Sequence, residues 1–312
     1  MALGMGPGQI LCDCTLGGGG HALAIAQDIE PNGLLIGIDQ DTTSCTEVPL
    51  RIPQTQLQIH YEILKGNFRD LDELLLKARV PGIDGVLFDL GVSSPQIDQA
   101  SRGFSYTQDA PLDMRMDPGN QTKTAAEIIN TSNTKDLARI LRVYGEEQWA
   151  GRIAAHIVQS RQIQPVETTE QLARIIKEAI PASQRRVGGN PAKRSFQALR
   201  IAVNDELTAL EEGLEAAIRW LNPGGRIVVI SYHSLEDRIV KQVFAQAARD
   251  CVCPPGQPVC TCSQQPILTS VSKKALVPSS AEIERNPRSK SAKLRFGVKA
   301  GKVESYELRV ES

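Results

Sequence analysis

The sequence predicts an α/β fold, a doubly wound and mostly parallel sheet interrupted by a block of helices. Three observations predict it. Short apolar runs alternate with helical patterns in the first 98 residues, and the same alternation resumes after residue 221. Four consecutive glycines, Gly17 to Gly20, sit where the first apolar run gives way to the first helix, as a tight strand-to-helix turn requires. Between Gln99 and Leu221 no strand pattern occurs. The 312 residues suffice for two domains or for one with a large insertion.

In chain order, Ile10 to Asp13 reads as the first strand, His21 to Ile29 as a helix and Leu34 to Asp39 as the second strand. Gln56 to Ile63 alternates as a third strand, and Lys65-Gly66-Asn67-Phe68 turns it into a helix over Arg69 to Arg79 with Leu71, Leu74 and Leu75 on one face. Ile83 to Leu90 is nearly continuous in apolar residues, as expected of a parallel strand buried on both faces. In such sheets ligands bind at the carboxyl ends of the strands, where Asp13, Asp39, Phe68 and Asp89 are expected to converge.

Gln99 to Pro118 reads as a long loop whose Phe, Tyr, Leu and Met content argues for order and function. Helices follow: one capped by Thr134, one over Glu146 to Ile163, one opened by the Thr168/Gln171 capping box and ended by Pro181, and a long one from Ser195 to Leu221. Asn222-Pro223-Gly224-Gly225 then turns into the strand Arg226 to Ser231, and Tyr232 to Arg238 opens a helix through Arg249. Lys293 to Val298 and Ser305 to Val310 read as a closing hairpin. The expected division is 1–98 and 205–312 for the two parts of the sheet domain, with the loop and helical insertion at 99–204 between them.

Composition excludes little beyond the extremes. A hydrophobic fraction of 41%, 23% charged residues and a net charge of −1 describe an ordinary globular chain and not a globally basic one. Local basic clusters exist, with Arg185, Arg186, Lys193, Arg194 and Arg200 in one acid-free interval and seven Lys and Arg residues between Glu284 and Glu304. No apolar run approaches the roughly 18 residues of a membrane span, and no signal-peptide pattern is present, so the cytoplasm is expected. Seven cysteines, an odd number without an export signal, argue against a disulfide framework. Cys251, Cys253, Cys260 and Cys262 form two C-x-C pairs of zinc-binding character. The bite is tighter than the usual C-x-x-C, and no metal is assigned.

The glycine loop and the acid Asp39, about 20 residues later, together suit an adenosine-containing cofactor. Gly17, Gly19 and Ala22 satisfy a loose dinucleotide pattern, so a nicotinamide oxidoreductase remains open at this point. S-adenosylmethionine needs only a glycine turn and a ribose-binding acid. The stretch Asp89 to Pro95 favours it, because it resembles loops with which amino-methyltransferases hold an exocyclic amine. Such an amine is a poor nucleophile, its lone pair being delocalised into the ring. Acceptors on its N–H groups favour rehybridisation, and Ser93, Ser94 and the carbonyls before Pro95 are candidates, with Asp113 and Asp117 as further proton acceptors.

Eight stretches carry a closer resemblance: Gly17-Gly18-Gly19-Gly20-His21, Asp89-Leu90-Gly91-Val92-Ser93-Ser94-Pro95-Gln96, Arg102-Gly103-Phe104-Ser105, Pro111-Leu112-Asp113-Met114-Arg115-Met116-Asp117, Tyr144-Gly145-Glu146-Glu147, Ser195-Phe196-Gln197-Ala198-Leu199-Arg200, Ser231-Tyr232-His233-Ser234-Leu235-Glu236-Asp237-Arg238 and Asn286-Pro287-Arg288-Ser289. In this order they resemble the bacterial small-subunit ribosomal RNA cytosine-N4 methyltransferase family. The resemblance implies a class I S-adenosylmethionine-dependent methyltransferase, that is, a Rossmann-like sheet with a helical insertion. It also implies S-adenosylmethionine as donor and a decoding-centre cytosine of 16S rRNA, free or in the small ribosomal subunit, as acceptor. It carries cofactor contacts onto Gly19, Gly20, His21, Asp39, Phe68, Asp89 and Gln96. No proton transfer is assigned to His21, and His233 is read as lining the end of the fifth strand. Arg185, Arg186, Lys193 and Arg194 are expected on the rRNA backbone. Two departures stand: Met1 to Gly8 lacks the histidine-containing segment the family has before the glycine strand, and Leu16 and Gly18 replace an aromatic and a larger residue. A non-catalytic RNA-binding assembly factor is the third reading, and oligomeric state is left open.

Overall fold

The computed structural model describes residues 3–121, 123–184, 190–254, 257 and 259–301. Seven strands form one sheet: β1 (Ile10–Asp13), β2 (Leu34–Asp39), β3 (His60–Lys65), β4 (Ile83–Asp89), β5 (Leu221–Ser231), β6 (Leu268–Val271) and β7 (Lys293–Lys299). Their order is β3-β2-β1-β4-β5-β7-β6, with the first five parallel and β7 antiparallel to both neighbours. The chain reverses direction across the sheet at β1, flanked by β2 and β4. A crevice therefore opens at the carboxyl ends of β1 and β4, the usual ligand position of a doubly wound sheet. The predicted fold class holds.

Alternate residues of each strand feed opposite layers. Leu11, Leu35, Leu87 and Val228 pack against Ala22, Ile25 and Ile29 of α1 (Gly20–Ile29) and Val48 of α2 (Thr42–Arg51). Ile36, Ile38, Val86, Phe88 and Val229 face Leu71 and Leu75 of α3 (Leu71–Lys77) and the two helices flanking β5, described below. Past β4 come a short helix, α4 (Ser94–Asp98), and then the insertion: α5 (Ala125–Thr131), α6 (Thr134–Gly145), α7 (Ala150–Ile163), α8 (Thr169–Ala179) and α9 (Lys193–Asn204). These helices have an apolar core of their own, built on Ile129, Leu137, Leu141, Ile153, Ile157, Leu172, Ile176, Phe196 and Leu199. Leu112 and Met114 of the preceding loop are buried in that core, so the loop is ordered as expected. The chain returns through α10 (Glu206–Trp220), β5 and α11 (Ser234–Ala247), and α12 (Ser280–Arg285) precedes β7.

Several expectations are corrected. The third strand is His60 to Lys65, because Gln56 turns left-handed after a short 3₁₀ segment and pairing with β2 begins only at Leu34 and His60. α2 and α5 escaped the periodicity reading. Asn133, not Thr134, caps α6, its side chain accepting from Asp136 N, and Glu146 ends α6 instead of beginning α7. The long helix expected from Ser195 to Leu221 breaks at Asp205, whose φ is 49°. Its apolar stripe continues in phase across the break, so periodicity alone conceals it. The cause is tertiary: buried Asn204 donates from Nδ2 to the carbonyl of Met114 and accepts from Met116 N, which fixes the end of α9 to the loop. β7 pairs with β5 and β6, not in a hairpin with Ser305 to Val310, and that segment lies outside the described residues.

Candidate active site

The glycine loop leaves β1 and enters α1 with two residues in the left-handed region, Gly17 (φ 48°) and Gly19 (φ 76°). A side chain at Gly19 would also collide with α2, since its Cβ would lie 2.8 Å from Val48 Cγ1. Gly18 and Gly20 have open space around them. The loop is held from below: Gly17 N donates to Asp39 Oδ2 at 2.8 Å, and Leu16 N to the Ile38 carbonyl at 3.0 Å. Asp39 Oδ1 accepts from Asp41 N at 2.8 Å. Asp39 thus braces the loop with one lone pair of each oxygen and retains others for a ligand. Burial raises its pKa above the ordinary carboxylate value.

Register brings three carboxylates to this crevice. Asp13 pairs with Gly37 on one side and Leu87 on the other, so Asp39 and Asp89 each lie two residues further along the neighbouring strands. Asp13 is fully buried; Oδ1 accepts from Thr15 N, while Oδ2 has no hydrogen-bond partner. Burial pushes its carboxyl up to about 6, opposed by the Thr15 N–H and by His21. Asp89 is a hub: His21 Nε2 lies 3.4 Å from Oδ2, Tyr232 Oη donates to Oδ1 at 2.9 Å, and its own N donates to Thr15 Oγ1 at 2.6 Å. The bond to Asp89 raises the pKa of His21, and burial beside that carboxylate raises Tyr232, which stays protonated and keeps donating.

Past β4, the Ser93-Ser94-Pro95-Gln96 stretch is the start of α4 and not a plain turn. Gln96 is buried, with Oε1 accepting from Ser93 N at 3.0 Å and Nε2 donating to Asp41 Oδ2 at 2.9 Å. Arg102 donates to the same Asp41 oxygen at 2.6 Å and to the carbonyls of Arg115 and Met116. A cavity of about 110 Å³ lies between Gly17, Gly18, Ser93, Pro95, Gln96 and Arg102. Pro95, which lines it, is exposed, as is the preceding Ser94. A larger cleft of about 400 Å³ lies between Gln40 and Asn67 on one side and Asp117 and Asn204 on the other. Phe68, next to that cleft, packs edge-on against Phe88 with ring centres 5.5 Å apart.

The insertion is fastened to the sheet at the same end. Glu146 accepts from Ser234 Oγ at 2.5 Å and from Arg238 at 2.9 Å. Arg200 of α9 makes a two-pronged pair with Glu206, both contacts at 2.8 Å. His233 caps α11, with Nδ1 accepting from Glu236 N, and buried Glu236 accepts from Tyr232 N and His233 N in return. That agrees with reading His233 as lining the end of β5. Asp113 is gripped through both oxygens by Arg115, at 2.7 and 2.8 Å, which lowers its pKa. This geometry anchors Arg115 and makes Asp113 a weak base; Asp117 likewise pairs with Lys65 and Asn120. Lys193 and Arg194 open α9, with Arg194 donating to the Glu146 carbonyl at 3.2 Å, whereas Arg185 and Arg186 lie outside the described residues. Tyr232, Arg102 and Asp41 were not singled out as site residues from the sequence, and Arg200 was noted only as part of a basic cluster. Tyr232 and Arg102 lie in the quoted family stretches, but Tyr232 bonds Asp89, 143 positions away, and Arg102 bonds Asp41, 61 positions away and outside those stretches.

A sequence model described as the MraW methylase family matches residues 1–300. The chain belongs to the MraW methylase family. Ribosomal RNA small subunit methyltransferase H of Paenibacillus sp. (strain JDR-2) is 52% identical over 303 residues, covering 95% of each chain. The protein of the same name from Symbiobacterium thermophilum is 51% identical over 298 residues, covering 96% of this chain and 93% of its own. That of Heliobacterium modesticaldum is 50% identical over 294 residues, covering 94% and 93%.

This MraW-family methylase uses S-adenosylmethionine, and its residues fit that donor. The sulfonium and ammonium are cationic, and three carboxylates surround the glycine loop, one with an unpartnered buried oxygen. The nicotinamide alternative is set aside: a pyrophosphate beside Asp13, Asp39 and Asp89 would meet like charges.

Proposed function

We propose that the chain transfers a methyl group from S-adenosylmethionine to the exocyclic N4 amine of a decoding-centre cytosine in 16S rRNA, free or in the small subunit. The observation that carries the proposal is the convergence, at the carboxyl ends of β1 and β4, of the glycine loop, three carboxylates and the Ser-Ser-Pro stretch, in a chain half identical to methyltransferases named for small-subunit rRNA. When bound, the donor supplies an electrophilic methyl. Gly19, Gly20, His21, Asp39, Phe68 and Asp89 hold it, with Gln96 acting by fixing Ser93 and Asp41. Ser93, Ser94 and the carbonyls before Pro95 accept from the amine N–H groups, which frees its lone pair. Residues 1–98 and 205–312 form the catalytic unit and 99–204 the substrate-recognition unit. The cytoplasm, where small subunits are assembled, is the proposed compartment.

The test is transfer of labelled methyl to small-subunit rRNA and to assembled subunits, with the product nucleoside identified by mass spectrometry. Formation of N4-methylcytidine supports the reading. Donor binding without transfer to either substrate favours a non-catalytic assembly factor.

Two further outcomes are expected. Asp13 is ionised above about pH 6 and neutral below it, and ionised Asp13 attracts the cationic donor while protonated His21 repels it. Donor affinity therefore falls as pH drops through 6, and calorimetry on Asp13→Asn shows a weaker affinity with a flatter pH profile. An identical profile in wild type and variant removes Asp13 from donor binding. Changing Lys193 and Arg194 to Ala lowers rRNA affinity and reduces the slope of log K against log salt by about one per charge removed. Arg185 and Arg186 are proposed to bind the same RNA backbone. An unchanged slope takes the start of α9 out of the RNA interface.

A further inference from the structure

The loop between α11 and β6, residues 248–267, contains the four cysteines that methyl transfer leaves without a role. The chain is fastened where the loop ends, Ile267 N donating to the Ala247 carbonyl at 2.7 Å, but this long segment has no regular secondary structure among its described residues. A connection of this length inside a compact protein calls for a staple of its own.

Cys251, Cys253, Cys260 and Cys262 converge so that all four sulfurs lie within 4.8 Å of one another. The closest separations are 3.5 Å (260 to 262), 3.6 Å (251 to 260), 3.9 Å (253 to 260) and 3.9 Å (251 to 262). Four thiolates around one zinc at about 2.3 Å occupy the corners of a tetrahedron with edges of about 3.8 Å. Two disulfides would give a different pattern, with sulfurs in pairs about 2.05 Å apart. Backbone amides already point at the sulfurs: Val252 N at Cys262, Cys253 N at Cys251 and Thr261 N at Cys253, at 3.4 to 3.5 Å. Such N–H···S bonds are the outer-shell support that holds thiolate ligands in place.

We propose that Cys251, Cys253, Cys260 and Cys262 bind one structural zinc ion that staples the loop between α11 and β6. The sequence leaves the metal unassigned because of the tight C-x-C bite, and the fold offsets that bite by laying one pair against the other, so that all four sulfurs reach one ion. Four protein ligands leave no open coordination position, so the ion is structural and not catalytic. The 14 residues of α11 separate it from Ser234 at the active site by about 20 Å.

The test uses the full chain, expressed in zinc-supplemented medium and purified under reducing conditions without chelator. About one zinc per chain is expected, together with the thiolate charge-transfer and intense tetrahedral d–d bands of a cobalt(II)-substituted sample. Cys253→Ser/Cys262→Ser should lose the metal and become cleavable by protease between residues 248 and 267, whereas Cys45→Ser should retain both metal and protection. The cobalt spectrum is read on the unaltered chain, so a misfolded variant does not blur the outcome. Less than about half an equivalent of zinc with no thiolate–cobalt band overturns the proposal. So does zinc that persists in the double variant, or a wild-type chain in which the four cysteines form two disulfides.

Discussion

Asp89→Asn is expected to cut methyl transfer by about 10²-fold or more while leaving the fold intact. The substitution keeps the shape of the side chain and removes its charge, and that charge serves two partners at once: His21 at 3.4 Å and the Tyr232 hydroxyl at 2.9 Å. The backbone of Asp89 remains tied to Thr15 Oγ1, so β4 and the start of its loop stay in place. Loss of the carboxylate also lets the His21 pKa return toward its ordinary value, because the Asp89 bond is the main cause of its elevation. The check is a pair of measurements: steady-state transfer with labelled donor, and an NMR titration of the His21 ring. A lowered His21 pKa with unchanged transfer would show that this cluster is architectural. Tyr232→Phe, which removes one hydrogen bond and no charge, is expected to cost less than Asp89→Asn.

The second large effect is expected at Gly19. Gly19→Ala places a side chain on a residue with φ 76° and drives Cβ to 2.8 Å from Val48 Cγ1 and 2.9 Å from Cγ2. The left-handed backbone costs about 1–2 kcal/mol for a residue with a Cβ, and overpacking against α2 adds about 1–3 kcal/mol. The cheapest relief is for the loop to shift, which moves the amides of Gly19 and Gly20 away from the donor. Donor affinity is expected to fall by at least about tenfold, the equivalent of 1.4 kcal/mol. Gly18→Ala is the matched control: its Cβ meets nothing within 4 Å and its φ is not left-handed. Calorimetric titration of both variants decides the matter, and equal affinities would refute the assignment. Val48→Ala in the Gly19→Ala background should recover the part of the loss due to crowding and not the part due to φ.

These two experiments separate what pattern conveys from what packing conveys. Four glycines in a row are equivalent in the sequence, and nothing local distinguishes Gly19 from Gly18. The strands β1, β2 and β4, by contrast, were read nearly to the residue, since an apolar run bounded by turn residues is a local property. The helix expected from Ser195 to Leu221 fails for the complementary reason. Its stripe is local and unbroken, while the break at Asp205 follows from Asn204 binding Met114 and Met116, some 90 positions earlier.

The site divides in the same way. Residue types and spacing sufficed for the sheet class, a ligand site at the carboxyl ends of the strands, the glycine loop with Asp39, and the resemblance to the family, because strands, turns and motifs are encoded within a few positions of themselves. The three-dimensional fold was needed to show that Asp39 braces Gly17, that Asp13 keeps a buried unpartnered oxygen, and that Asp113 is spent on Arg115. It was needed again to show four sulfurs at metal-binding separations. Distance, burial and hydrogen-bond occupancy arise only when segments far apart in the chain pack together. A sequence names the donors and acceptors; packing determines which of them are still free.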